Sequence, residues 1–151
     1  MLRGIPEILS SDLLKALADM GHGDLIAIVD DFYPAKTMTP KGIVVQAKGN
    51  TAGEILDAVM SLMPIDTDYC EKPILHIIPD ADSGIIVNEN PVWDEMAEIV
   101  KKYGYDESII GTIERSEYYK KACNAFVTVS TSEMKLYGCF ILQKGVLWTG
   151  K

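Results

Sequence analysis

The chain is poor in the side chains from which most reactive centres are built, with two histidines and three cysteines in 151 residues. Cys70, Cys123 and Cys139 are odd in number and widely spaced. They therefore form neither a disulfide framework nor a CxxC metal site, and free thiols in a reducing cytoplasm are expected, with Cys70 and Cys123 in the core. His22 and His76 have no regular carboxylate spacing around them, so they make a poor metal set. GxGxxG, GxxxxGK[ST] and GxSxG are all missing, which argues against nucleotide and acyl-enzyme chemistry. Nowhere do about 18 apolar residues run uninterrupted, and the first residues lack a long apolar signal region. A soluble, unexported protein with no membrane partner is expected. Basic residues are in deficit too: 14 Lys and Arg stand against 22 Asp and Glu, a net charge of -8. That balance leaves no general grip on phosphate backbones, so nucleic acid is not an expected partner.

What is present reads as one domain over residues 1–151, with 48% hydrophobic residues to fill a core. Ser10 or Ser11 can cap a helix with Leu13, Leu14, Leu17, Ala18 and Met20 on one face, and Gly21 is placed to end it. Thr51 and Glu54 have capping-box spacing ahead of Ile55, Leu56, Val59, Met60 and Met63. Asn90 and Pro91 open a third helix, with Trp93, Met96, Ala97 and Val100 at helical spacing and Gly104 as its stop. Residues 116–124 read as a fourth. Continuous apolar runs at 25–29, 43–45 and 74–78 suit strands covered on both faces, a further short apolar stretch covers 109–113, and 125–129 and 140–142 read as closing strands. The alternation predicts a three-layer α/β/α sandwich with a largely parallel central sheet. The connection at 79–90, rich in Asp, Asn, Pro and Gly, is expected to be a surface loop.

The segment Gly21-His22-Gly23-Asp24 stands out because it sets a titratable ring between two glycines where a helix hands over to a buried strand. His22 is either a site residue or a cation resting on the last carbonyls of the first helix. Asp30 follows the strand, at the end where ligands gather in parallel sheets, or is a solvated turn carboxylate, the better account of Asp31. Arg115 at a helix start opposes the helix dipole, which favours a partner outside its own helix. Tyr118, Tyr119 and Tyr137 are amphipathic fillers with surface hydroxyls or contacts for a hydroxyl-rich ligand. His76, inside an apolar run, is expected to be a core histidine.

Met1–Pro6, Ile8-Leu9-Ser10, Met20-Gly21-His22-Gly23-Asp24, Asp30, Pro34-Ala35, Arg115, Tyr119, Tyr137-Gly138 and Lys144-Gly145-Val146 together resemble the RbsD/FucU family of D-ribose pyranases and L-fucose mutarotases. The similarity runs over nearly the whole chain and is closer to the fucose branch. It implies an α/β subunit in a ring-shaped homodecamer, with a monosaccharide bound near subunit boundaries and no cofactor or metal. By the same resemblance His22 is the proton donor, Asp30, Arg115, Tyr137 and Gly138 contact the sugar, and Tyr119 lies near it. Two positions depart from the pattern. Cys139 replaces the Asn of Tyr-Gly-Asn, exchanging an amide for a weak donor, and Lys36 replaces a histidine.

The implied activity is a mutarotase for L-fucose or a close relative. Only protons move in such a reaction, so one positioned acid/base group, worth about 10²–10⁴ in rate, is useful without metal or covalent chemistry. A non-catalytic sugar-binding or transport-associated protein is the alternative, and a ribose-type pyranase is a third reading. A strand over 24–30 spans roughly 20 Å, which puts His22 and Asp30 at opposite ends; either Gly21 and Gly23 bend the chain back or a neighbouring subunit supplies part of the site, the second being preferred.

Overall fold

The computed structural model describes residues 1–148. Its strands are β1 (Leu25–Val29), β2 (Ile43–Ala47), β3 (Ile74–Ile78), β4 (Ile110–Glu114), β5 (Val127–Thr131) and β6 (Phe140–Gln143). They form one sheet in the order β2-β5-β1-β6-β3-β4. β5 pairs in parallel with β1 and β2, and β3 with β4. β6 runs antiparallel between β1 and β3, so five strands point one way and one the other.

The helices are α1 (Ser11–Asp19), α2 (Ala52–Met60), α3 (Pro91–Lys102) and α4 (Arg115–Ala122). Side chains alternate across the sheet, as the pleat requires. Ile26 and Ile28 of β1 enter a core with Leu13 of α1, Leu56 of α2 and Met96 of α3. Ala27 faces the other way, into a smaller core with Tyr118 and Ala122 of α4. The result is the three-layer α/β/α arrangement, with three helices on one face and α4 on the other.

Helix starts follow the local signals. The Ser10 hydroxyl accepts from the Leu13 amide at 3.2 Å, Thr51 and Glu54 form the reciprocal capping box, and Asn90 caps α3 with Pro91 in its first turn. The end of α1 differs from expectation. Met20 leaves the helix in extended conformation, and the left-handed residue is Gly23 (φ 86) rather than Gly21. Lys144 closes this helix instead, its ammonium donating to the carbonyls of Leu17 (2.8 Å) and Met20 (2.6 Å). α4 is likewise capped from a distance: Glu114 makes no side-chain cap, and Asp80 accepts from the Ser116 amide (2.9 Å) and hydroxyl (2.8 Å).

Three further expectations are corrected. β2 is an edge strand whose Ile43 is exposed, because strand order, not apolarity, decides which strand lies outermost. The Tyr118 hydroxyl is not at the surface; the side chain is fully buried and donates to the Phe140 carbonyl at 2.8 Å. Among the cysteines it is Cys139 that is buried, while Cys70 and Cys123 are half-buried.

Candidate functional site

The parallel strands β1, β3 and β4 end on the same edge of the sheet, where β6 begins, and a cleft of about 270 Å³ opens there. This is where parallel sheets place ligand sites, since the chain must leave the sheet in loops that diverge. Asp30, Arg115, Tyr119, Tyr137 and Cys139 all line it, and Phe32 and Leu136 give it an apolar wall. The volume is just below the range of about 300–1,000 Å³ typical of drug-sized pockets, which suits a smaller ligand.

Asp30 is buried at the end of β1. Its carboxylate accepts from the Phe32 amide at 3.1 Å, and its own amide donates to Cys139 Sγ at 3.4 Å. Burial pushes its pKa above the usual carboxylate value, against the opposing pull of the Cys139 thiol and the amides of Phe32, Tyr33 and Gly138. Burial also pushes the Cys139 thiol well up, helped by the charge on Asp30, so the sulfur beside the cleft stays protonated.

Arg115 starts α4 directly after β4, and its guanidinium lies 4.5 Å from the centre of the Tyr119 ring, one helical turn on. Tyr119 in turn meets Tyr33 edge-on at 5.0 Å. Tyr137 is the only non-glycine among the described residues with positive φ, at 59°. Such a conformation costs of order 1–3 kcal/mol and persists where surroundings enforce it. Here Trp93 Nε1 donates to the Tyr137 carbonyl at 2.9 Å and Asn90 Nδ2 to the Leu136 carbonyl at 2.8 Å, so the start of α3 clamps the loop. Gly138 follows because a Cβ there would meet Glu133 Cγ at 2.8 Å.

His76 is not part of this cleft. It is buried, stacks on Trp93 at 4.5 Å, and burial lowers its pKa. Lys36 is exposed and Asp31 pairs with Lys48 at the surface.

The structure does not bring His22 into the cleft. It sits at the other end of β1, on the opposite edge of the sheet, with its side chain 40% exposed. It does not rest on the carbonyls of α1, which Lys144 occupies; Nε2 instead lies 3.1 Å from Asp66 Oδ2. The Tyr69 ring packs against the imidazole at 4.9 Å. Burial raises the pKa of Asp66, but the Tyr69 amide, Gln143 and His22 outweigh it and the net shift is downward.

Sequence reasoning missed Asp66, Trp93 and Asn90 as supports, and Phe32, Tyr33 and Leu136 as lining. An Asp two residues after a proline carries no signal of its own, and its contact with His22 spans 44 positions. Phe32-Tyr33 was legible as an aromatic pair directly after Asp30-Asp31. Among the described residues no three His, Cys, Asp or Glu side chains gather as a metal site requires.

The pattern of the RbsD / FucU transport protein family matches residues 3–147. The chain is 41% identical to the fucose mutarotase of Homo sapiens over 150 residues, 97% of this chain and 94% of that one. It is similar to the crystal structure of FucU from Bifidobacterium longum, with TM-score 0.89, 36% identity, and coverage of 97% of this chain and 100% of that one. It is also similar to a fucose mutarotase from Streptococcus pneumoniae crystallised in complex with L-fucose, with TM-score 0.86, 31% identity, and coverage of 97% and 100%. With the match spanning nearly its whole length, this chain belongs to the RbsD/FucU family.

Proposed function

We propose that this protein is an L-fucose mutarotase, an isomerase that interconverts the α and β anomers by acid/base opening and closure of the sugar ring. The observation that carries this reading is the convergence of Asp30, Arg115, Tyr119 and Tyr137 with an apolar wall in one small cleft. Fucose pairs hydroxyls with a methyl group, and the cleft offers partners for both. The likeness to fucose mutarotases over nearly the full chain supports the same substrate.

In the mechanism, Asp30 accepts from sugar hydroxyls and Arg115 donates to them. His22 gives a proton to the ring oxygen as the bond from that oxygen to the anomeric carbon breaks. The anomeric hydroxyl passes its proton to bulk water, with Tyr137 or a bound water as the relay, and becomes the carbonyl. Rotation exposes the opposite carbonyl face, and the protons return as the ring closes. Cys139 lines the cleft, and Gly138, which is not in its lining, sits between Cys139 and Tyr137.

Because β1 alone is roughly 17 Å long at about 3.3 Å per residue, one monosaccharide cannot touch His22 and Asp30 of the same chain. The proposed site is therefore shared, His22 of one copy reaching the cleft of the next, in a homo-oligomer for which the resemblance implies a decameric ring. Exposed Leu2 and Leu147 beside apolar hollows next to α1 support an interface between copies. The chain is read as one folding unit working in the cytoplasm, to which its three free thiols are suited.

The test is saturation-transfer NMR of L-fucose with the wild-type protein and His22→Gln. Anomer exchange should accelerate with the wild type and fall by about 10²–10⁴ in the variant, the worth of one positioned acid. Binding without exchange would make the protein a sugar carrier, and exchange with ribose alone a pyranase.

A further inference from the structure

We infer that Tyr33 is a further specificity-determining residue for the proposed reaction, its buried hydroxyl pairing with a non-anomeric hydroxyl of the bound monosaccharide. This rests on the reading of the cleft as a fucose site and adds a contact that the mechanism does not use.

Among the described residues two buried side-chain oxygens have no hydrogen-bond partner, Tyr33 Oη and Glu133 Oε1, and of these two residues only Tyr33 lines the cleft. Tyr33 is 7% exposed. Burying a hydroxyl without a partner is costly, because its hydrogen bonds with water are given up and nothing replaces them. A phenylalanine would fill the same space without that cost. The hydroxyl at this position therefore points to a partner that arrives with the ligand.

The ring is not free to turn away and find one within the protein. It meets Tyr118 edge-on at 5.6 Å and Tyr119 at 5.0 Å. The Tyr33 amide donates to the Asp30 carbonyl at 3.4 Å, and its carbonyl accepts from the Ala35 amide at 2.8 Å, so the turn after β1 is held on both sides. Nearby polar groups are engaged: the Tyr118 hydroxyl with the Phe140 carbonyl, and Cys139 Sγ with the Asp30 amide. The titratable groups whose charge acts on the Tyr33 hydroxyl are Cys139, Tyr119, Cys123 and Asp30, and three of these four line the cleft. Burial, helped by them, pushes the phenol far above the usual tyrosine value. It keeps its proton, and so serves as a neutral hydrogen-bonding group and not as an acid or base.

The contact forms as the sugar enters, by a small displacement of the half-buried Tyr119 ring, which packs on Tyr33 and on the Arg115 guanidinium. Tyr137 serves the anomeric hydroxyl, which leaves those at C2, C3 and C4 as partners. A bond to a hydroxyl outside the reaction sets affinity and the choice of sugar and leaves the proton steps alone.

The experiment compares the wild type with Tyr33→Phe by thermal melting without sugar, and by saturation-transfer NMR of L-fucose and its 2-, 3- and 4-deoxy analogues. The sugar-free variant should melt at or above the wild-type temperature, because it loses no hydrogen bond. KM for fucose should rise about 3–10-fold, the worth of one neutral hydrogen bond, with kcat within about twofold. With one analogue the wild type should lose that same factor and the variant should match it, since both lack the same contact. A variant melting more than about 2 °C below the wild type would show that the hydroxyl is partnered in the free protein, and overturns the inference. So does an unchanged KM, or a penalty for the variant that persists with all three analogues. If the wild type binds fucose without exchanging it, the mutarotase reading fails and the same comparison of Kd values decides Tyr33; if it does not bind fucose, both fail.

Discussion

Replacing Lys144 by Met should loosen the end of α1 and, through it, the loop that carries His22. The last turn of α1 has no basic residue of its own, and the Lys144 ammonium donates to two carbonyls there, at 2.8 and 2.6 Å. Hydrogen bonds to a charged group contribute about 1.5–3 kcal/mol each, and a cation at a helix C-terminus about 0.3–1 kcal/mol. Water can reach this half-buried site and replace part of both, so the expected cost is about 2–3 kcal/mol. For a chain of this length each kcal/mol moves the melting temperature by about 2–4 °C, which predicts a fall of about 5–10 °C by calorimetry or circular dichroism. Met retains the aliphatic stem, so lost packing contributes little. Activity should fall with stability, because Met20 is the second residue before His22. A variant melting within about 1 °C of the wild type would show that solvent serves these carbonyls equally well, and the reasoning would fail.

Trp93→Phe removes the donor to the Tyr137 carbonyl while keeping an aromatic ring against His76. Stability should drop by about 1–2 kcal/mol in urea unfolding, and KM for fucose should rise more than kcat falls, since Tyr137 loses the contact that enforces its positive φ. His76 has a lowered pKa in the folded state, so on acidification the unfolded chain takes up its proton first and stability falls with pH from about 6.5 downward. Urea midpoints at about pH 7.5 and 5.5 should therefore converge in His76→Phe, by the part of the difference this residue causes. An unchanged difference would locate the acid sensitivity in other groups.

The parts of the fold legible in the sequence are those written within four residues. Ser10, the Thr51 and Glu54 pair, and Asn90 with Pro91 each satisfy amides of their own first turn, so spacing alone reveals them. The end of α1 was misplaced at Gly21 because its carbonyls are served by a lysine 124 positions away. The inward turn of Tyr118 was hidden for a similar reason: α4 carries little apolar periodicity, and the accepting Phe140 carbonyl lies on another element. Exposure of β2 depends on which strand ends up outermost, a property of the whole sheet. At the cleft, Asp30 was suggested by its place after a buried run and Tyr137 by its amphipathic ring, whereas Cys139 and its neighbour Gly138 were picked out by resemblance. The clamp on them, Trp93 and Asn90, has no local signature because its targets are backbone carbonyls.

The position of His22 leads to a last prediction, which concerns the assembly. His22 precedes β1 and Asp30 follows it, so within one copy the proposed acid and the cleft lie at opposite ends of that strand. A contact that joins one edge of a copy to the opposite edge of the next is heterologous, and such contacts close into rings when the rotation permits. Each site would then draw His22 from one chain and Arg115 from another. Two inactive variants, His22→Gln and Arg115→Ala, should rescue one another when unfolded together and refolded in equal amounts. A cleft from the first variant next to a histidine from the second is whole. Random mixing makes about a quarter of the sites whole, so about a quarter of wild-type exchange should return. If both residues served one site within a single chain, no mixture could contain an intact site and the activity would stay at the level of the separate variants.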